Sequence, residues 1–110
     1  MDNLIIIIDY NKIQSLDFTK NVLTLEPLKE KFKAFNCNIK NINGHNFNQI
    51  YKSLLVKNNK KPTVIIANTI KGKGVEYMED KILWHYKSPN AEELEIAIKE
   101  LKWEIFLLKS

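Results

Sequence analysis

The sequence of 110 residues has a single cysteine, no long apolar run and no strong surplus of charge. Because Cys37 is alone, no disulfide can form within the chain, and a reducing, cytoplasmic setting is expected. No run approaches about 18 apolar residues, so we expect no membrane span, and we expect no signal peptide. Lys and Arg exceed Asp and Glu only enough to give a net charge of +4. Without a basic stripe with interleaved aromatics, no nucleic-acid binding is expected.

Three short runs predict strands: residues 4–9 and 63–67 are expected to be buried, and residues 37–42 form a short strand of weaker pattern. The first of them, with four consecutive isoleucines, is typical of a parallel strand covered on both faces. Residues 11–23 show no clean period and are expected to form a loop. Hydrophobic residues make up 45% of the sequence, which fits a packed core rather than a disordered chain.

Apolar spacings of three and four predict three helices between and after these strands. Thr24, Asn46 and Asn90 are the expected N-caps, and Asn90 with Glu93 has the spacing of a capping box. The expected buried stripe of the middle helix consists of Phe47, Ile50, Tyr51, Leu54 and Leu55. Strand and helix alternation predicts an α/β fold, a parallel sheet with flanking helices and right-handed crossovers.

Ligands of such sheets bind beyond the carboxyl ends of the strands, where the sequence places polar residues. After the first strand come Asp9 and Asn11, whose oxygens suit a hard cation such as Mg²⁺. Asn11 as a plain turn residue is the competing interpretation. After the second strand comes His45, just before a helix N-terminus that would favour an anion, with Gly44 expected to allow a positive φ. A surface histidine in a tight turn explains the same pattern, and both interpretations stay open.

After the third strand comes the KGKG loop at residues 71–74, for which a flexible solvated loop is favoured over a phosphate cradle. It lacks the glycine spacing of a P-loop. His85 follows Trp84 and is expected to have a packing role. One cysteine and two distant histidines do not have the spacing of a zinc site.

Taken together and in order, these segments resemble the thiamine diphosphate-dependent transketolases, and in particular the N-terminal subunit of the two-chain form. The resemblance covers nearly the whole chain. It is carried by IIDYNKIQS at 7–15, LEPLKEKFKAFN at 25–36, INGHN at 42–46, KPTVIIANTIKGKGVEYMED at 61–80 and WHYKSPNAEELEIAIKEL at 84–101.

The resemblance implies roles for three residues in a shared thiamine diphosphate and Mg²⁺ site. Asn11 would coordinate Mg²⁺ through its side-chain oxygen and touch the cofactor diphosphate. The backbone carbonyl of Ile13 would be a further metal ligand. His45 would approach the diphosphate and the bound substrate. The implied reaction is the transfer of a two-carbon ketol unit from a ketose to an aldose, with sugars or sugar phosphates as substrates.

The departures from the family pattern are equally informative. The chain has no Gly-Asp-Gly, the family sequence that opens the cofactor motif, and Lys12 and Asp17 stand where glycine is common. The glutamate that activates the aminopyrimidine belongs to another domain. We therefore expect residues 1–110 to form one partial domain, the C-terminal part of a three-layer diphosphate-binding domain.

The resulting expectation is a fragment or split subunit of a transketolase that is inactive alone. Its expected partners are the missing N-terminal part of the domain and a pyrimidine-binding subunit. The alternative is a non-catalytic remnant or interaction module that keeps the fold without binding the cofactor.

Overall fold

The computed structural model describes residues 3–14, 17–55 and 60–109. The elements in chain order are β1 (Ile5–Tyr10), β2 (Ile13–Gln14), β3 (Asp17–Phe18), α1 (Thr19–Val22), α2 (Leu28–Ala34), β4 (Asn38–Asn43), α3 (Phe47–Leu54), β5 (Thr63–Asn68), a 3₁₀ turn (Ile82–His85) and α4 (Ala91–Lys109). None of the described helices combines the length and hydropathy that crossing a bilayer would require.

The main sheet has three parallel strands in the order β1-β5-β4, so the last strand along the chain lies in the middle. In register across it, Ile7 pairs with Ile65 and Ile65 with Lys40. The crossover from β1 to β4 passes over the position of β5, and the crossover from β4 to β5 returns. Two right-handed crossovers in opposite directions place their helices on opposite faces of the sheet. A parallel sheet with flanking helices confirms the predicted α/β class.

The hydrophobic core lies between the sheet and α2, on the face that we call the α2 face. Its buried residues are Tyr10, Val64 and Ile66. The partly buried residues packed against them are Ile6, Ile8, Leu25, Leu28, Phe32, Cys37 and Ile39. In β5, residues 63–67 are all buried, as predicted, because this strand has a neighbour on each side.

The other face, which we call the α3 face, is covered unevenly, and the prediction that β1 is buried on both faces is wrong. Ile65, in the central strand, is 1% exposed, whereas its register partner Ile7 is 58% exposed. Ile5 is 37% exposed. The physical reason is position: β1 lies at the edge of the sheet, and α3 contacts chiefly β4.

The predicted buried stripe of α3 is also wrong. Ile50 is half-buried, but Phe47 and Tyr51 are largely exposed, and the buried residue of this helix is Ser53. Lys40 Nζ donates to the Ser53 carbonyl at 2.9 Å, which joins α3 to β4 through a polar contact. The sheet has only three strands, so it covers only part of the apolar face that the residue spacing of α3 predicts to be buried.

The region after β1, predicted as a loop, contains the short β2–β3 hairpin and α1. Lys12 has a left-handed φ of 63°, and its carbonyl accepts a hydrogen bond from the Thr19 N–H at 2.9 Å. Elements of two to four residues are too short to show a hydrophobic period in the sequence. The prediction that Thr24 caps the next helix is wrong, because α2 begins at Leu28, whose N–H donates to the Glu26 carboxylate at 3.0 Å.

The predicted capping box of α4 is confirmed. Asn90 Oδ1 accepts from the Glu93 N–H and Glu93 Oε2 accepts from the Asn90 N–H, both at 2.8 Å. Ala97 of this helix is buried, and the hydroxyl of Tyr77, in the loop before the helix, donates to the Glu93 carbonyl at 2.7 Å. Its apolar stripe is exposed at Leu94, Ile98 and Leu101.

A titratable pair lies at the margin of the core, where the buried Tyr10 meets the exposed Glu26. The Tyr10 hydroxyl donates to the Glu26 carboxylate at 2.6 Å. This bond, with a second from the Leu28 N–H, lowers the pKa of Glu26 from its usual 4.5. The same bond, with burial, raises the pKa of Tyr10 from its usual 10.0. Both shifts stabilise the fold between these two values.

The pH dependence of unfolding follows from these signs. The contribution of Glu26 is lost as the pH falls below 4.5 toward the lowered folded pKa, and that of Tyr10 as the pH rises above 10.0. Tyr10→Phe removes the bond, so its midpoint of thermal unfolding should fall less steeply with pH at both ends. Tyr86→Phe, at an exposed tyrosine, should keep the wild-type profile. Parallel profiles for wild type and Tyr10→Phe would contradict this linkage.

Candidate functional site

The carboxyl ends of the three parallel strands meet at one edge of the sheet, as predicted. The Thr69 N–H, just past β5, donates to the Tyr10 carbonyl at the end of β1 at 3.3 Å. On the other side, the Gly44 N–H, just past β4, donates to the Asn68 carbonyl at 2.8 Å. The segments after the three strands are therefore held side by side.

Asn11 lies at the β1 end of this edge, and its side chain shapes the turn that follows. Its Oδ1 accepts from the Ile13 N–H at 2.9 Å, an Asx turn. Asn11 is therefore a turn residue, as the competing interpretation of the sequence expects. An amide oxygen has two lone pairs, so one remains available to a cation. Beside it, the Thr69 hydroxyl donates to the Asp9 carboxylate.

His45 lies at the β4 end of the edge and is fixed through both its backbone and its ring. Its N–H donates to Asn43 Oδ1 at 2.9 Å, and its Nε2 accepts from the Ile70 N–H at 2.8 Å. A ring nitrogen that accepts a hydrogen bond carries no proton, so in this arrangement the imidazole is neutral with its proton on Nδ1. Nδ1–H is therefore a donor for an acceptor placed at the sheet edge.

Gly44, next to His45, does not adopt the positive φ that glycine allows. Glycine is needed here because the backbone of residue 44 lies very close to Thr69 and Asn68. A Cβ on this residue would collide with the Thr69 methyl group and would lie 3.1 Å from the Asn68 carbonyl oxygen. The close approach lets the turn carrying His45 sit directly on the end of β5.

His45 lines an open cleft of about 620 Å³ beyond β4 and β5, together with Asn43, Asn68 and Lys73. Asn68 Nδ2 donates to the Ile42 carbonyl at 3.0 Å and also to Asn41 Oδ1. Neither Asn41 nor Asn68 stands out individually in the sequence. The sequence does offer one signal for them. Both are amides at strand positions whose side chains face the apolar core on the α2 face.

Lys73 of the KGKG loop also lines this cleft, and the Glu79 carboxylate holds the loop in place through hydrogen bonds. Gly72 and Gly74 adopt positive φ values of 74° and 94°. Glu79 Oε1 accepts from the Gly74 N–H at 3.1 Å and from Lys73 Nζ at 3.4 Å. The hydrogen bond from Gly74, followed by the charge of Lys73, lowers the pKa of Glu79. The loop is thus shaped by its glycines and by an internal ion pair.

His85 lies away from this edge, in the 3₁₀ turn, where its ring packs edge-on against Tyr86 with centroids 5.7 Å apart. It does not line the cleft that contains His45.

The donor set at the edge fits part of a Mg²⁺ site. Within the described ranges, no three His, Cys, Asp or Glu side chains cluster to hold a metal ion. Asn11 offers one side-chain oxygen, and Mg²⁺ needs six oxygens, several of them from water or phosphate. A metal bound here would need further ligands from a phosphate group and from another polypeptide.

The turn carrying His45 depends on Asn46, the predicted cap, whose Oδ1 accepts from the Gln49 N–H at 3.0 Å. Asn46→Ala should lower the free energy of unfolding by about 1 kcal/mol, because it leaves a helix N–H without its partner. Asn48→Ala, two residues along on the exposed face of the same helix, should be neutral or slightly stabilising, since alanine is the better helix former. Denaturant unfolding of both variants measures the difference, and equal losses would contradict the capping role.

Comparison with known proteins places this geometry in context. Residues 1–107 match the family model described as "Transketolase, thiamine diphosphate binding domain". The chain is 42% identical over 105 residues to one of the subunits of the apulose-4-phosphate transketolase of Actinobacillus succinogenes, covering 94% of this chain and 38% of that protein. It is 37% identical over 106 residues to 6-deoxy-6-sulfo-D-fructose transketolase subunit SqwG of a Clostridium species, again covering 94% and 38%.

Among solved structures, the transketolase of Campylobacter jejuni superposes with a TM-score of 0.65 at 28% sequence identity. That match covers 99% of this chain and 22% of the Campylobacter chain. The chain therefore spans less than two fifths of the length of the relatives that it matches.

Proposed function

Because the chain belongs to the family of transketolase thiamine diphosphate-binding domains, we propose that it is one component of a transketolase assembled from more than one polypeptide. In this proposal it supplies the C-terminal part of the diphosphate-binding domain. The observation that carries the proposal is the sheet edge, where Asn11, the turn of His45 and the KGKG loop are brought to adjacent strand ends.

Each residue at this edge would have a separate task. The free lone pair of Asn11 Oδ1 and the backbone carbonyl of Ile13 would coordinate Mg²⁺, which in turn would hold the cofactor diphosphate. His45 would donate from Nδ1 to a diphosphate or substrate oxygen, since its Nε2 is occupied by the Ile70 N–H. Thiamine diphosphate, when bound, supplies the carbon that takes a two-carbon ketol unit from a ketose and passes it to an aldose.

The distance between β1 and β4 supports this division of tasks between Asn11 and His45. Asn11 and His45 follow β1 and β4, which are separated by β5, so their strands lie about 10 Å apart. One ligand must be extended to meet both residues, as a diphosphate with its attached groups is. A sugar or sugar phosphate would then bind on the side of His45.

The rest of the site would come from partners. Two relatives are named as subunits, one of an apulose-4-phosphate transketolase and the other of a sulfofructose transketolase, which supports an enzyme of several chains. The first partner would carry the Gly-Asp-Gly segment, whose carboxylate would complete the metal site. The second would carry the pyrimidine-binding domain with the activating glutamate.

Reconstitution tests the proposal. The purified chain alone should show no ketol transfer. Mixed with the polypeptide that carries Gly-Asp-Gly and with a pyrimidine-binding subunit, it should bind thiamine diphosphate and transfer ketol units, and EDTA should abolish both. Turnover by the chain alone, or a stable complex that binds no cofactor, would count against the proposal. In the latter case the non-catalytic interaction module would become the better description.

A further inference from the structure

We infer that the side chains of Asn41 and Asn68, which we call the amide pair, form a specificity-determining subsite that recognises hydroxyl groups of the sugar. Both line the cleft of about 620 Å³ that contains His45, and a cleft of this volume is typical of small-molecule sites. The inference rests on the proposed function, because the ligand is taken to be the sugar that would bind on the side of His45.

The amide pair occupies strand positions that face the core, but it is open to the cleft. Along β4, Ile39 packs in the core, whereas Asn41, two residues further on the same face, is exposed. Across the ladder, Asn41 lies in register with the buried Ile66. Asn68 follows Ile66 by two residues and therefore lies on the same face. This face of the sheet thus changes from apolar side chains to amides as it approaches the carboxyl edge.

The hydrogen bonds of the amide pair fix which of its atoms are free. The Ile42 carbonyl can only accept, so the group of Asn68 that meets it at 3.0 Å is Nδ2. The second N–H of the same Nδ2 donates to Asn41 Oδ1. Within the described part of the chain the two amides make no other hydrogen bond, which leaves Asn68 Oδ1 and Asn41 Nδ2 free. The pair therefore offers one acceptor beside one donor.

Asn43 extends the amide pair toward His45. It lies two residues beyond Asn41 on β4, about 6.6 Å along the strand. Its Oδ1 accepts from the His45 N–H, and its Nδ2 has no partner among the described residues. A row of donors and acceptors of this length matches an extended pentose or hexose, because each hydroxyl group both donates and accepts.

The charge and the lining of the cleft argue against other ligands. The described residues that line it include no carboxylate to hold a cation and no Phe, Tyr or Trp on which a base could stack. The formal charge among them is that of Lys73, whose Nζ lies 3.4 Å from the Glu79 carboxylate. Because this charge is compensated and the imidazole of His45 is neutral, the cleft suits the uncharged, hydroxylated part of a sugar.

NMR titration of the full chain tests the subsite without any partner or cofactor. The side-chain NH₂ resonances of Asn41 and Asn43 report on the two free donors. We expect D-ribose to shift both resonances in a saturable manner, and inorganic phosphate at the same concentrations to leave them in place. Resonances that D-ribose does not move, or that inorganic phosphate moves equally, overturn the inference.

Asn41→Asp is the most direct variant, because it removes the free donor and keeps an oxygen for Asn68 Nδ2. It should weaken the binding of D-ribose about tenfold, as the loss of a hydrogen bond between uncharged groups does. Asn48→Asp, which adds the same charge on the exposed face of α3, should keep the affinity within about twofold. Asn41→Leu serves as a second variant, and NMR spectra check that each variant is folded. Unchanged affinity of the folded Asn41 variants overturns the inference.

Steady-state kinetics of the reconstituted complex separate the subsite from the proposed function. Asn41→Asp should raise KM for D-ribose as acceptor about tenfold and change kcat less than about threefold, since a contact made equally in the ground and transition states affects binding alone. If ketol transfer is found and KM is unchanged in this variant, the proposed function stands and the inference fails. If the chain binds D-ribose through the amide pair but the assembled complex transfers no ketol units, the subsite stands and the proposed function fails.

Discussion

In the reconstituted complex, Asn11→Ala should weaken Mg²⁺-dependent binding of thiamine diphosphate by at least about tenfold. The substitution removes the side-chain oxygen that is proposed to coordinate Mg²⁺ at the β1 end of the site. It also removes the acceptor for the Ile13 N–H, so the carbonyl of Ile13 would lose its fixed direction. Isothermal titration with the cofactor, at saturating Mg²⁺ and again in EDTA, measures the effect.

The matched control is Asn11→Asp, which keeps an oxygen for the turn and an oxygen for the metal. It should bind the cofactor within a few-fold of wild type, since carboxylate oxygens are good Mg²⁺ ligands. Unfolding of the isolated variants separates the two roles of Asn11. Asn11→Ala should lower stability modestly through the lost turn contact. If Asn11→Ala destabilises the chain but leaves cofactor affinity unchanged, the residue is a turn residue alone.

His45→Ala should lower kcat/KM for ketol transfer by about 100-fold, the usual loss when a positioned donor to a reacting oxygen is removed. His85→Ala is the control, because its ring packs against Tyr86 and away from the cleft. That variant should stay within about twofold of wild type. Steady-state rates on a donor ketose and an acceptor aldose measure both.

His45→Gln distinguishes a chemical role from a structural one. The glutamine amide has an oxygen that can accept from the Ile70 N–H and an NH₂ group that can donate at the edge. It should therefore recover part of the lost rate, whereas Asn46→Ala, which only loosens the turn, should not lower kcat comparably. Equal rates for wild type and His45→Ala would remove His45 from the proposed site.

The sequence was a good guide to features that depend on local chemistry or on the chain order of elements. The continuous β-branched run of β5 predicted a buried strand, and Asn46 and Asn90 predicted helix caps through their side-chain oxygens. Strand and helix alternation predicted the parallel sheet and the shared edge. These features follow from residues close in sequence or from the handedness of crossovers.

Burial was predicted less well, because it depends on what else packs against an element. Ile7 and Ile65 have the same side chain and face the same way, but one lies on the edge strand and the other in the centre. Phe47 and Tyr51 have the spacing of a core stripe without a core to cover. The need for glycine at position 44 comes from Thr69, which is distant in sequence.

The assignment of roles at the site depends on the family resemblance rather than on pattern. An asparagine after a strand forms a turn here, as turn statistics suggest, and nothing in its spacing indicates a metal. The acceptor state of His45 Nε2 arises from the backbone of Ile70, which no sequence pattern brings near it.

The placement of β5 between β1 and β4 has a consequence for the order in which the nascent chain can fold. During synthesis, at about 5–20 residues per second, the isoleucine-rich β1 is made well before β5, the strand that pairs with it among the described residues. For that interval an apolar, β-prone segment stays unpaired, the condition in which chains associate wrongly.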